Sequence, residues 1–566
     1  MSPGSHTLRG RVRNAVLHAW TAAADAGRLP PGGPEVEAAI DVQRPGKPEH
    51  GDFVTNVALR LARPLKLPPA GIAAALVEAL VGLSAADPGS PIADASVAGP
   101  GFVNLRVTDA ALADMIDAAG NDRGAWGRAP VADGSAVRHV NIEFVSANPT
   151  GPLTVGNARG AFVGDLLARV LEAGGQRVTR EYYFNDSGAQ VRNLGASVLA
   201  IREGTEIPED GYHGDYVADL AREVPDDVIA ARAGDDAEEQ RAWAAGRWAS
   251  ERIREGIEGS LAALGVRFDV WTNEGSLHEL GWVERAVTRL REGGFLYEQD
   301  GATWFRSTAF GDDKDRVVIR SNGAPTYFAS DIGYVTEKLS RGFDHLIYIW
   351  GADHHGTVAR LRNAAEAMGF DKAAVEVILT GWVHFLQDGQ ELSMSKRAGT
   401  FIALDDLLAE LGVDAARWYF ASRGANVNMD VDIELAKRQS SENPVYYVQY
   451  AHARIASILR KAAGIGLAAA PSVAGSLGGD AEGTLARIVV RLPEVVEDAA
   501  AGQETQGITT YATELATAFH AFYRDARVVD PDEPERSAKR LALVDATRIS
   551  LANALALLGI SAPESM

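Results

Sequence analysis

Four short segments carry residue types that could do chemistry. The first is Ser146-Ala-Asn-Pro-Thr-Gly-Pro-Leu-Thr-Val-Gly-Asn-Ala-Arg-Gly. It follows an alternating stretch, His139-Val-Asn-Ile-Glu-Phe-Val, and precedes apolar residues at helical spacing, Phe162, Leu166 and Val170. A parallel strand that ends in a small-residue turn and opens a helix presents free backbone N–H groups at the positive end of the helix dipole. Phosphate binds at such places. Gly156 and Gly160 would let phosphate or adenine come close to the helix backbone. The same residues also describe a tight turn whose glycines serve only packing.

The second segment, Leu392-Ser-Met-Ser-Lys-Arg-Ala-Gly-Thr, sits behind a turn at Asp388-Gly389 and carries Lys396 and Arg397. Adjacent cations on a loop can close over a polyphosphate and stabilise charge that develops there; a solvated basic loop is the plainer use. The third is Tyr327-Phe-Ala-Ser-Asp331, which on a helix puts a phenol and a carboxylate four apart on one face. That pair suits a guanidinium or ammonium ligand, and equally an ordinary cap or buried hydrogen bond. The fourth, Gly351-Ala-Asp-His-His-Gly, ends a predicted strand with Asp353, His354 and His355. It lacks the His-Glu-x-x-His type of metal spacing and has no further His cluster, so it points to substrate contacts and not to a metal.

These segments need elements to hold them. His139–Val145, a helix over 158–173 and a strand over 179–184 make a strand–helix–strand unit, hence a parallel sheet. Asp344–Trp350 and Val375–Trp382 read as further buried strands, and a polar helical insertion spans about 191–264. In such sheets ligands bind at the carboxyl ends of the strands. Before this unit, helix-like stretches at Val54–Leu61 and Ile72–Leu83 and the alternating Phe102-Val-Asn-Leu-Arg-Val suggest a small α+β domain, joined through Ala132-Asp-Gly-Ser. From about Asp405 onward helix follows helix: 406–411, 415–422, 446–462, 482–500, 511–525 and 540–558, with Ala463–Gly479 a flexible connection. The expected fold class is α/β: a Rossmann-like catalytic domain over 131–440, preceded by an α+β domain over 1–130 and followed by an α-helical bundle over 441–566.

Composition narrows the class. The 566 residues are 46% hydrophobic and 23% charged, which suits several soluble domains. There is no Cys, which removes disulfides, thiolate zinc sites and cysteine nucleophiles together. No run of 18 apolar residues and no signal-peptide centre is visible, so the expectation is a cytoplasmic protein with no membrane partner. A net charge of −21 argues against a surface that is basic throughout, while leaving room for a local track such as Arg438, Arg454, Arg460 and Lys461.

In order, SANPTGP, the glycine-bearing turn, REYYFND, YFASDIGY, GADHHG, MSKRAGTF, DAARWYF and NPVYYVQYAHAR resemble a class I arginyl-tRNA synthetase of bacterial type. RPGKPEHGDF and AGPGFVNLRV look like that family's extra N-terminal domain, and ALALLGISAPESM like its carboxyl end, so the resemblance covers essentially the whole chain. It implies ATP-dependent attachment of L-arginine to tRNA(Arg) through arginyl-adenylate, with Mg²⁺ accompanying ATP, by a chain expected to be a monomer. The N-terminal domain would touch the tRNA elbow and the helical domain would read the anticodon. Carried over residue by residue, ATP would lie against Pro152, Thr154, Gly156, Asn157, Gly160, Met394, Ser395 and Lys396, with Thr154, Asn157 and Lys396 acting in catalysis. Glu143 and Asn148 would hold the amino-acid end of arginine; Glu274, Tyr327 and Asp331 the guanidinium; and Asp353 and His354 would also line the arginine site.

The sequence departs from the family at the nucleotide. His-x-Gly-His is replaced by Thr154-Val-Gly-Asn157, and Lys-Met-Ser-Lys by Ser393-Met-Ser-Lys396. Thr and Asn can both donate hydrogen bonds, and the pair resembles what tryptophanyl-tRNA synthetases carry there. The active reading is therefore preferred. The alternative is a specialised or impaired paralogue acting in a side pathway or as a tRNA-binding protein. A small-molecule arginine ligase would hardly need the helical bundle, and a purely structural RNA binder would not need Tyr327, Asp331 and Lys396.

Overall fold

The computed structural model describes residues 6–130, 137–186, 188–230, 236–387, 390–391 and 403–566. Its centre is five parallel strands: His139–Glu143, Arg177–Phe184, Val270–Asn273, His345–Gly351 and Val375–Thr380. In space they run 375–380, 345–351, 139–143, 177–184, 270–273. The chain starts in the middle, grows to one edge, then returns to the other side of its first strand. Connections leaving two adjacent strands in opposite directions open a crevice at the carboxyl ends. Here that crevice lies between 139–143 and 345–351, where Tyr348 pairs with Glu143.

Alternation in His139-Val-Asn-Ile-Glu predicts a strand with one solvated face, and here the structure differs. Val140, Asn141, Ile142 and Glu143 are all buried. A parallel sheet is covered on both faces by its own crossovers, so polar residues on the second face must find partners inside. They do in part: the Asn141 Nδ2 donates to Glu181 at 2.6 Å, while its Oδ1 has no partner among the described residues. The helix Val155–Ala173 packs so closely on the sheet that a Cβ on Gly164 would fall 2.1 Å from the Phe144 ring, which leaves no room for any side chain there.

Around this core the expected parts are present. Four antiparallel strands in the order 42–43, 53–55, 102–107, 92–98, with helices Leu8–Asp25 and Pro69–Ala86, form the N-terminal unit. Phe53–Thr55 is a strand, so the helix expected from Val54 starts only at Val57. Among the described residues Pro69–Ala86 is the one helix long and apolar enough to cross a membrane. It places Ile72, Ala73, Leu76 and Leu80 in the N-terminal core. Helices Ala189–Glu203, Asp215–Glu223 and Ala237–Ala263 make up the insertion. A small antiparallel sheet in the order 316–319, 302–305, 296–299 was not visible in the sequence pattern, and it covers a second apolar core around Phe305 and Leu346.

The helical third differs in two places. The stretch expected as one helix over 482–500 is two, Asp480–Val489 and Leu492–Gly502, because Pro493 lacks the N–H that would continue the first and fits the opening turn of the second. The connection after Gly464 is anchored: Val473 and Leu477 are buried, and the Val473 N–H donates to Asp117 at 3.0 Å. Asp117 belongs to the N-terminal unit, which docks directly on the helical bundle. Arg44 forks onto the buried Glu494 at 2.7 and 3.0 Å, and Arg487 reaches Asp52 at 2.8 Å. The junction at Ala132-Asp-Gly-Ser lies outside the described residues.

Candidate active site

The crevice is shaped first by backbone. After Glu143 and Phe144 the chain turns through Val145 (φ 66°) and Ser146 (φ 43°), left-handed conformations that a β-branched residue rarely accepts. The turn sets the Ser146 hydroxyl between two strands, donating to Glu143 at 3.2 Å and accepting from the Tyr183 N–H at 3.2 Å. Successive side chains on 177–184 point to opposite faces. Tyr182 stacks on Trp271 and exchanges hydrogen bonds with the Ala147 backbone at 2.9 and 3.1 Å. Tyr183 faces the crevice, stacked 4.7 Å from Tyr334.

Two kinds of carboxylate meet there. Glu181 is fully buried and accepts from Asn141, Thr272 (2.7 Å), Tyr334 (2.7 Å) and the Arg341 Nη2, which reaches both of its oxygens (2.9 and 2.7 Å). Burial alone would raise its pKa; Lys338, Arg341 and the hydroxyl donors outweigh that and hold it at about 2. Asp331 is the opposite case. It is recessed, and no hydrogen-bond donor from the described residues reaches it. Desolvation first, then the charges of Glu143 and Glu274, push its pKa up to about 7. Glu274, 7% exposed at the start of the helix Glu274–Glu279, is also raised, mainly by burial and against the approach of Ser330 and Tyr183. Asp331 and Glu274 thus face one recess, and among the described residues no Lys or Arg pairs with either; His278 is the base beside Glu274. Two carboxylates left in that state favour a cationic ligand that could fill both forks.

Glu143, at the end of the first strand, is buried and ion-paired to Lys338 at 2.6 Å; burial raises its pKa while Lys338 opposes the rise. Asn148 is exposed at the rim. It donates to Gln190 at 2.8 Å and accepts from the Asn185 N–H at 3.3 Å. Tyr327 and Asp331 do lie on one helix, Tyr327–Ser340, capped by Thr326. Tyr327 is 69% exposed at its first turn, and no hydrogen bond joins it to either carboxylate. His354 ends a short 3₁₀ turn after the strand 345–351, its ring 5.7 Å from Trp350, while the Asp353 side chain lies outside what is described.

At the second end of the crevice, Thr154 caps the helix Val155–Ala173. The Asn157 Oδ1 accepts from both the Thr154 N–H (3.0 Å) and its hydroxyl (3.1 Å). The hydroxyl proton is therefore committed inside the cap, and the donor without a partner among the described residues is the Asn157 Nδ2 amide. Gly156 is exposed, and a Cβ there would meet only the Thr154 Oγ1 at 3.5 Å, so the first turn stays bare. A Cβ on Gly160 would lie 3.7 Å from the Val145 backbone, and Pro152 sits in the turn just ahead of the cap. Met394, Ser395 and Lys396 lie outside the described residues. The chain just beyond them returns to this turn, with Thr154 bridged to Ala403 and the Leu404 N–H donating to Leu153 at 3.0 Å.

Ser146, Glu181, Tyr183, Lys338 and Arg341 escaped the sequence reading. Only Tyr183 left a signal: of two adjacent tyrosines on a strand, one must face away from the core packing. Of the basic track, Arg438 pairs with Glu442 at 2.5 Å and Arg460 with Glu564 at 3.5 Å, while Arg454 lies over the Tyr450 and Tyr523 rings. Among the described residues no cluster of three His, Cys, Asp or Glu side chains could hold a metal.

Three family models divide the chain. Residues 10–107 match the arginyl tRNA synthetase N terminal domain, 131–456 the class I (R) tRNA synthetase catalytic domain, and 448–566 the DALR anticodon binding domain. Among solved structures, a provisionally assigned arginyl-tRNA synthetase of Campylobacter jejuni is 33% identical, with 80% of this chain and 99% of that one covered and a TM-score of 0.71. The Thermus thermophilus arginyl-tRNA synthetase shares the fold at 23% identity (98% and 100% covered, TM-score 0.74). That of Plasmodium falciparum does so at 15% identity (99% and 99%, TM-score 0.72).

Proposed function

The chain belongs to the class I arginyl-tRNA synthetases, and from that premise we propose that it joins L-arginine to tRNA(Arg) with MgATP as the second substrate. A carboxylate oxygen of arginine attacks the α-phosphorus, the bond from that phosphorus to the bridging oxygen breaks, and pyrophosphate leaves. A ribose hydroxyl at the tRNA's terminal adenosine then attacks the activated carbonyl; AMP leaves, and the hydroxyl proton passes to solvent. Neither step uses a covalent enzyme intermediate, so positioning and charge stabilisation carry the catalysis.

In this reading the guanidinium enters between Asp331 and Glu274 under Tyr327, and the α-ammonium meets Glu143 and Asn148 beside Asp353 and His354. The observation that carries the assignment is the recess where Asp331 and Glu274 stand without a Lys or Arg partner among the described residues, at the mouth of a crevice that ends on a helix N-terminus. Lysine is refused because an ammonium cannot fill two forks, and the unmatched carboxylate would stay buried and unpaired. The phosphates lie along the bare first turn at Gly156, with the Asn157 Nδ2 as donor and Lys396 closing from the loop. The intact Thr154–Asn157 cap supports a working variant of the nucleotide turn over a decayed one. The Arg454, Tyr450 and Tyr523 cluster suits nucleobases and phosphate on the helical domain. We read the protein as a cytoplasmic monomer.

The test is charging of total bacterial tRNA with labelled arginine, ATP and Mg²⁺. Incorporation that disappears in Lys396→Ala supports the reading. Binding of tRNA without incorporation by the parent protein overturns it in favour of the impaired paralogue.

A further inference from the structure

Lys338 is fully buried, and its ammonium makes one hydrogen bond among the described residues, to the Glu143 Oε2 at 2.6 Å. Two phenol rings, Tyr334 and Tyr348, each lie 4.3 Å from that ammonium. Burying an ammonium is costly, and a methionine would fill the same space without the cost. Glu181 also feels the Lys338 charge, but Arg341 meets both oxygens of that carboxylate and keeps it paired without a bond from Lys338. What Lys338 alone supplies is a fixed cation bonded to Glu143 from the buried side. Glu143 spends one oxygen on Lys338 and the other on Ser146, and a carboxylate with about four acceptor sites retains capacity for a further donor.

We propose that Lys338 is a positioning residue for arginine: from behind the pocket it holds Glu143 ionised and oriented to receive the α-ammonium. The inference rests on the reading of Glu143 given above. Lys338 and Asp331 stand seven residues apart on the helix Tyr327–Ser340, two turns and about 10 Å along one face. One rigid helix therefore carries the carboxylate for the guanidinium end and the cation that sets the carboxylate for the other end. The spacing of the two ends of the ligand is built into that helix.

The test compares steady-state charging by Lys338→Met, Glu143→Gln and the double variant. Lys338→Met is expected to raise the KM for arginine by roughly tenfold to a hundredfold, the scale of one charge-assisted hydrogen bond, with the KM for ATP within about twofold. The double variant is expected to be no worse than Glu143→Gln in KM for arginine, because Lys338 acts on arginine through Glu143. If Lys338→Met fails to fold, the double variant, neutral on both sides, carries the comparison alone.

The pH profile separates positioning from packing. Without Lys338, Glu143 keeps the charges of Glu181 and Asp331 and the phenols Tyr183, Tyr334 and Tyr348 around it, with no cation bonded to it among the described residues, so it protonates more readily. The ratio of variant to parent KM for arginine then falls as pH rises from 6.5 to 9, where ionised Glu143 returns; Asp331 is raised in part by the Glu143 charge, so a neutral Glu143 lowers it, and its titration does not produce that fall. A pH-independent ratio, parallel rises in the KM for arginine and ATP, or a double variant far worse than Glu143→Gln overturns the proposal. A normal arginine KM in Glu143→Gln overturns the reading of Glu143 itself. An impaired Glu143→Gln beside a normal Lys338→Met overturns only the role of Lys338.

Discussion

The floor and the mouth of the crevice use the same side-chain chemistry to opposite ends. On the floor, Glu181 is surrounded by donors and held at about 2. At the mouth, Asp331 is recessed but still partly exposed, no donor among the described residues reaches it, and it stands at about 7. The floor is finished without a ligand; the mouth is not. A carboxylate that folding has left unpaired costs stability unless function needs it, and this contrast distinguishes a structural charge from a binding one more clearly than residue type does.

The contrast breaks most sharply at Asp331. Asp331→Ala should lower kcat/KM for arginine by about a thousandfold, the scale of a lost buried guanidinium–carboxylate pair, with little change in thermal unfolding. Glu181→Gln should do the reverse. It leaves the partly exposed Arg341 against a neutral amide at a cost of about 2 kcal/mol, visible as a lower unfolding midpoint, while the KM for ATP holds. The acid limb agrees in sign: the stability Glu181 supplies is full above its unfolded value of 4.5 and is lost as pH falls towards 2.

Asp331 has the opposite linkage. Its folded pKa is raised, so its favourable contribution is full below the unfolded value of 3.8 and is lost as pH rises through about 7. Arginine binds the ionised form. The KM for arginine should therefore fall roughly tenfold between pH 6 and 8, about one decade per unit below the pKa, with proton release on binding measurable by calorimetry in buffers of different ionisation enthalpy. Glu274→Gln, by removing a like charge, should move that profile to lower pH. The smallest effect is expected at the nucleotide turn. Restoring Thr154→His and Asn157→His together should change charging by less than about tenfold, because the Asn157 amide already supplies a donor; a gain of roughly a thousandfold would show that the natural turn is crippled.

How much of this was legible varies along the chain. The order of strands and helices could be read because periodicity and small-residue turns are local signals. Tyr327 and Asp331 were placed on one helix for the same reason, although the structure sets one at the surface and the other in the recess. The break at Pro493 was missed by treating a long apolar pattern as one helix across a residue that cannot continue it. Asn141 and Glu181 were passed over because their polarity on alternating strands suggests solvent, while the crossovers that bury both faces are formed by distant segments.

The sequence by itself determined which residues could hold a guanidinium and where a phosphate could meet a helix, since those follow from side-chain type and turn chemistry. Tertiary structure alone decided which carboxylates are already paired. Glu143 meets Lys338 and Glu181 meets Arg341 across 195 and 160 residues of chain, while Asp331 meets no donor among the described residues. No local pattern encodes those distances; they are set when helix Tyr327–Ser340 packs against the ends of the parallel strands.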